Sequence, residues 1–303
     1  MRVPLPAAMI TTLSAMRLSL LKSAIIGLLV LLAGCSSVRL GYGSGPLLAW
    51  WWLDGYVDFS RENAPLAQQG IDRWFEWHRA TQLPAYAGLL DAAAQDVLEP
   101  VTAAQACGWQ ARMRGALNPA LDRAVEIAAD LVPTLGEAQL RHIEQRYAKG
   151  NDEMRSDFLQ PDPAVRQRES VKRTVDRIER MYGRLEPAQT RVIAAGVAAS
   201  PFDPERWLAD RERRQRDTLA ILRELVTTGA DRDRRLAGLR TLALRIERSP
   251  DPDYRAYQLR LAEYNCQFAA RIHNATTPEQ RRKARDTFKG WADDFRALAA
   301  TPG

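Results

Sequence analysis

The sequence predicts an all-α fold, a multi-helix bundle of about ten or eleven helices. Three observations predict it. From Leu47 onward nearly every segment carries apolar residues at helical spacing, and proline or glycine separates the segments. Ala, Leu, Arg, Glu and Gln dominate the composition and β-branched residues are modest, which favours helix. No segment alternates apolar and polar residues between hairpin turns, as a half-buried strand does.

The first element is an export signal. Met16 to Cys35 reads MRLSLLKSAIIGLLVLLAGC, with Arg17 and Lys22 ahead of an uncharged run from Ala24 to Ala33. A spanning helix needs about 20 apolar residues, so residues 1–34 read as a signal peptide. The residues before Met16 make a poor n-region, which leaves Met16 as an alternative start. Leu32-Ala33-Gly34-Cys35 resembles the bacterial lipoprotein box. That resemblance implies diacylglycerol on the Cys35 thiol, cleavage before Cys35, and a fatty-acyl group such as palmitate on the new amine. Two or more acyl chains hold a protein stably on a membrane. Ser36 follows the cysteine where an Asp would favour inner-membrane retention, so the resemblance implies outer-membrane delivery. Residues 35–46, with Gly41, Gly43 and Gly45 ahead of Pro46, read as the lipidated cysteine and a flexible tether.

Helices are then expected at Leu47–Phe59, Arg61–Thr81, Ala85–Leu98, Ala103–Leu131, Glu137–Leu159 and Pro163–Tyr182. Further ones follow at Pro187–Ala199, Pro204–Thr228, Arg232–Arg248, Asp253–His273 and Pro278–Ala299. A signature recurs at the starts: Phe59-Ser60-Arg61-Glu62-Asn63, Leu135-Gly136-Glu137-Ala138-Gln139, Leu185-Glu186-Pro187-Ala188-Gln189 and Thr276-Thr277-Pro278-Glu279-Gln280. Each carries a polar amide at the same offset from the turn. Thr134 and Glu137 are spaced as a capping box; Thr277 caps, Pro278 takes the first helical position and Gln280 can reach back. Four such starts suggest a repeated helical hairpin and two related halves, 47–183 and 184–303, within a helical domain 47–303.

The starts at Leu135/Gln139 and Leu185/Gln189 resemble the Leu-Thr-x-x-Gln motif of the Spy/CpxP group of periplasmic helical proteins, which includes client-binding chaperones. The lipobox, "WWWLDGYVDFS" and "NCQFAARIHNATTPEQRRKA" together are similar to a family of proteobacterial lipoproteins of unknown function. This resemblance implies an all-helical lipoprotein and transfers no activity.

Charge gives little support to a nucleic-acid partner. Removing residues 1–34 takes away Arg2, Arg17 and Lys22, so 43 − 3 = 40 basic residues face 37 acidic ones. Besides Cys35, two cysteines remain, Cys107 and Cys266. In an oxidising compartment they read as a disulfide; two buried free thiols are the alternative.

No catalytic constellation stands out. There is no Gly-x-Ser-x-Gly, no phosphate-binding glycine loop, and no metal-ligand spacing among His78, His142 and His273. The charges from Asp210 to Asp217 interleave as a solvated helix face. No catalytic residue, metal ligand or cofactor is assigned. The aromatic stretches are the candidates for function. Trp51, Trp52 and Tyr56, with Trp74 and Trp77, are the expected surface for apolar segments of other proteins; the alternative for the Trp50–Phe59 aromatics is insertion into the nearby membrane interface, and Asp54 and Asp58 could share a cation. The expected function is an outer-membrane-anchored, periplasm-facing lipoprotein that binds periplasmic or envelope proteins as a chaperone or scaffold. The alternatives are a cell-wall or lipid-acting enzyme with a site assembled from dispersed residues, and a structural subunit of an envelope complex.

Overall fold

The structure is a computed structural model that describes residues 37–301; the signal segment 1–34 and Cys35 lie outside the described residues. The chain divides into two compact units, one ending at Ser44 and one running from Gly45. In the first unit the glycine-rich stretch expected as a tether forms a helix, α1 (Ser37–Gly43). No proline interrupts the stretch before Pro46, so the backbone closes local bonds despite its glycines; Ser44 N–H donates to Leu40 O at 3.3 Å.

The second unit is all-α among the described residues, with eleven α-helices between Gly45 and Ala300. They are α2 (Gly45–Val57), α3 (Ala64–Trp77), α4 (Leu83–Asp96), α5 (Ala103–Leu131), α6 (Glu137–Phe158) and α7 (Pro163–Tyr182). They continue as α8 (Pro187–Ala198), α9 (Pro204–Thr227), α10 (Arg232–Glu247), α11 (Pro252–Asn274) and α12 (Pro278–Ala300). The capping side chains explain the starts. Asp162, Asp203, Asp231 and Asp251 accept from first-turn amides, and Thr102/Gln105 and Thr277/Gln280 form complete capping boxes. Two local expectations are corrected. The cap of α6 is not Thr134 with Glu137: Thr134 Oγ1 donates to Leu131 O, and Gln139 Oε1 accepts from Gly136 N–H at 3.1 Å. The break expected before Ala85 is a π-helical turn, His78–Gln82, which joins α3 to α4. Pro84 removes one ladder donor, and Leu83 N–H bonds to His78 O to absorb the irregularity.

The helices pack as two sets of four with one scheme. In the first, α2 packs on α3 and α6, and α3 packs on α5; in the second, α7 packs on α8 and α12, and α8 packs on α11. Three helices are left over; α10 packs on α5 and α9, and the other two are exchanged. The α4 helix lies on α12, and α9 lies on α6. The α5–α11 contact joins the sets and carries the Cys107–Cys266 disulfide, with Cα atoms 5.2 Å apart.

The recurrent amide signature is what closes each set. In the second, Gln189 Nε2 donates to Ala275 O (2.9 Å) and Gln280 Oε1 (2.6 Å). Reciprocally, Gln280 Nε2 donates to Arg184 O and Gln189 Oε1, both at 2.9 Å. Each glutamine also accepts from the cap amide of its own turn, Glu186 N–H or Thr277 N–H. In the first set Gln139 Nε2 donates to Asp58 O (3.2 Å) and Asn63 Nδ2 to Thr134 O (3.3 Å). Asn63 is one methylene shorter than glutamine, so it bonds across to the other turn's carbonyl without reaching the facing amide.

Other features fall at matching places. The α2 and α7 helices both end on a left-handed residue, Asp58 (φ 57°) and Gly183 (φ 78°). Just before each lies a carboxylate that accepts the amide beyond the turn: Asp54 from Phe59 (3.1 Å) and Glu179 from Leu185 (2.9 Å). Asp54 is therefore a capping side chain. By this pattern the sets run Gly45–Phe158 and Pro163–Ala300. The connection at 159–162 separates the sets, and the turn near 183, between α7 and α8, is the counterpart of the α2–α3 turn.

Glycine is required where α8 crosses α11. A Cβ at Gly196 would lie 2.1 Å from Phe268 Cε2, and the same crossing in the first set puts Gly70 against Ile127. Gly196→Ala is expected to destabilise the fold by about 1–3 kcal/mol, the usual cost of overpacking. Chemical denaturation of the purified protein checks this, and an unchanged midpoint would show that the Phe268 ring swings aside freely.

Candidate functional site

The expected aromatic surface is only partly assembled. Trp51 and Trp52 are 62% and 65% exposed on the outer face of α2. Tyr56 stays with Trp52, ring centroids 4.9 Å apart, but turns inward against the core that holds Val57, Leu140 and Leu222. Trp74 belongs to a different cluster: its indole N–H donates to Ala120 O (3.0 Å), and its ring stacks on His78 at 4.5 Å. Trp77 is half-buried on α3. No ring contact joins the Trp51/Trp52 face to the Trp74 cluster among the described residues.

The histidines serve the fold. Burial pushes His78 down to about 4, so it stays neutral at ordinary pH. His142 Nε2 bonds Gly55 O at 3.1 Å. Both nitrogens of His273 are used, Nδ1 with Tyr182 Oη (2.7 Å) and Nε2 with Glu99 O (2.8 Å). Burial lowers the His273 pKa and pushes Tyr182 up to about 12. With Nε2 facing a carbonyl, the ring carries its proton there and accepts from the tyrosine hydroxyl at Nδ1. Among the described residues no group of three His, Cys, Asp or Glu side chains could hold a metal.

Two clefts open between the helices. One, of about 510 Å³, lies among α4, α5, α7, α11 and α12, with walls from Leu89, Ala93, Trp109, Met113, Met181 and Trp291. It is almost wholly apolar. His273 and Tyr182 line it with their polar atoms already bonded to each other, and Asp96 faces Arg112 at 3.9 Å.

The other cleft, of about 970 Å³, lies between α7, the α8–α9 connection and α11. Its floor is aromatic, from Phe158, Phe202, Trp207 and Phe268, and Arg166, Arg173 and Arg177 rim it. The opposite stripe of α7, Val171, Val175 and Ile178, packs into the core, which fixes the arginine face toward the cleft. Arg173 is held in place. Its guanidinium lies 4.6 Å from the Phe158 ring centroid, with Nη2 donating to Ser170 Oγ (3.1 Å) and Nη1 to Asp157 O (3.4 Å). Phe158 in turn meets Trp207 at 6.1 Å. Arg166 and Arg177 form no ion pair among the described residues. Two carboxylates share the cleft: Asp203 is occupied in capping α9, and Glu205 is exposed. Such a site takes a negatively charged group on its rim and a flat or branched apolar group on its floor.

The lining of this cleft includes none of Trp51, Trp52, Tyr56, Trp74 and Trp77. Its members come from four separate segments, and the only trace in the sequence is the polar face Ser170, Arg173, Thr174 and Arg177 of α7 at helical spacing.

No curated protein and no solved structure matches the chain. A family model does match, over residues 55–255, from the last turn of α2 to the first turn of α11. The chain accordingly belongs to that family, a family of unknown function designated DUF6279.

Proposed function

We infer that the chain is a lipid-anchored protein of the bacterial outer membrane, facing the periplasm, that binds segments of other proteins without transforming them. The anchoring part rests on the signal-like N-terminus and the Leu-Ala-Gly-Cys pattern at Cys35. The binding part rests on one observation, a large cleft with an aromatic floor and a rim on which two guanidiniums lack ionic partners. The ligand class this favours is an acidic peptide segment bearing aromatic or aliphatic side chains. Carboxylates would take the place of water around Arg166 and Arg177, while the apolar groups cover Phe202 and Phe268. The resemblance of the Leu185/Gln189 start to the Spy/CpxP motif points the same way, toward client binding.

Titration of the purified protein with fluorescent peptides tests this. A peptide of alternating Asp and Phe is expected to bind, more weakly as salt rises. The Lys/Phe counterpart is expected to bind poorly. Arg166→Glu with Arg177→Glu is expected to weaken the acidic peptide about 10–100-fold, as loss of charge-assisted bonds does. Equal binding of both peptides, or no effect of the charge reversal, would refute the assignment.

A further inference from the structure

The α2 helix presents an apolar face that nothing in its own unit covers. Leu47, Leu48, Trp51 and Trp52 are 52%, 51%, 62% and 65% exposed, consecutive turns of one helix that carries no charge before Asp54. The helix cannot roll to hide them. Its other side is pinned by Val57 in the core and by Leu53, Tyr56 and Phe59 packed on it. A patch of this kind marks an interaction surface.

Its position in the helical scheme argues that the exposure is a binding feature. Counted back from the left-handed residues Asp58 and Gly183, Leu48 and Trp52 of α2 occupy the places of Arg173 and Arg177 of α7. In the second set that face lines the arginine cleft. In the first set the same face is aliphatic and aromatic, and it lies open.

What covers it follows from chain length and chemistry. Ten peptide units separate Cys35 from Gly45, so Gly45 lies within about 35 Å of the Cys35 Cα whatever path the chain takes. With Cys35 acylated, α2 is the helix of the large unit nearest the anchor along the chain. Exposed tryptophan and leucine on an uncharged helix face suit the headgroup–acyl boundary, where the indole ring is apolar and its N–H stays hydrated. We propose that the Leu47/Leu48/Trp51/Trp52 face of α2 lies in the interface of the membrane that holds the anchor. The segment that leads from Cys35 then ends on a second contact, and the body of the protein is fixed in orientation against the membrane. This rests on the anchoring reading above and is independent of the cleft.

The test uses the lipidated full-length protein in phosphatidylethanolamine–phosphatidylglycerol vesicles whose acyl chains are brominated near the headgroups. Trp51 and Trp52 are expected to be quenched. Trp51→Ser with Trp52→Ser is expected to remove most of the quenching, while Trp207→Phe leaves it unchanged. In the unlipidated Cys35→Ala form the double variant is expected to lower vesicle partitioning at least ~10-fold, from the burial of two large apolar side chains. Binding of the acidic peptide is expected to be the same in the Trp51→Ser/Trp52→Ser double variant and in the Cys35→Ala form. Membrane-held protein whose quenching ignores the double variant overturns the docking. So does a cross-link between Trp51 faces of two copies with no quenching, which makes a second copy the occupant. Absence of acyl mass on the Cys35 peptide overturns the anchor and the docking together, and loss of peptide binding by Arg166/Arg177 reversal bears on the cleft alone.

Discussion

Removal of the Cys107–Cys266 bridge is expected to lower stability by about 2–5 kcal/mol, the range seen for native disulfides. The bridge spans 159 residues, and constraint of the unfolded chain across so long a loop is worth roughly 5 kcal/mol on the chain-entropy account. For a chain of this size each kcal/mol moves Tm by about 2–4 °C. Cys107→Ala with Cys266→Ala is thus expected to melt roughly 5–15 °C below the wild type, and reductant is expected to shift the wild type to the same Tm. The effect is large for a second reason. The bridge lies on the α5–α11 contact, where the two four-helix sets meet, so its loss loosens the seam between them. Thermal unfolding with and without reductant measures it. Quantitative alkylation of both thiols in unreduced exported protein would sink the assignment.

The Gln189–Gln280 pair gives the second large effect. Both side chains are buried, 6% and 9% exposed, and each serves a cap amide, a carbonyl of the other turn and the facing amide. Gln280→Ala strands part of the buried Gln189 amide and leaves Thr277 N–H and Arg184 O unpaired at partly buried positions. Each buried orphan costs about 1–3 kcal/mol, and the expected total is about 3 kcal/mol after partial relaxation. The counterpart Gln139→Ala, in an exposed pair, is expected to cost no more than about 1 kcal/mol because water replaces the lost bonds. Equilibrium denaturation of the two variants side by side checks the contrast. Equal losses would mean that the buried pair is not distinct from an ordinary helix cap. Gln280→Glu is expected to be at least as damaging as alanine, since it removes two donors and buries a charge.

Much of the fold was legible from local signals. The Asp and Thr caps, proline at the first helical position and the 3.6-residue apolar stripes placed the helices from Ala103 onward closely, because these signals act within one turn of backbone. The helix Ser37–Gly43 and the π turn at His78–Gln82 escaped notice. At the π turn Pro84 shifts the hydrogen-bond ladder without ending it, and in Ser37–Gly43 the glycines leave the ladder in place. The amide signature was visible at all four starts. The correspondence of α2 with α7 was not, since they share few residue types and only their left-handed ends and capping carboxylates reveal the match.

The candidate site shows the same division. The sequence by itself determined the all-α class, the helix starts, the paired cysteines and the unusual aromatic run at Trp50–Trp52, all of which are read from neighbours along the chain. Only the tertiary structure decided which aromatics face outward, which glutamines meet, and that Arg166, Arg173 and Arg177 rim a cleft with Phe158, Trp207 and Phe268. The physical reason is that amphipathic spacing tells a helix which face to bury but not against what. That choice comes from the crossing of α8 with α11, the exchange of α4 and α9 between the sets, and close packing at Gly196, none of which has a local sequence signature.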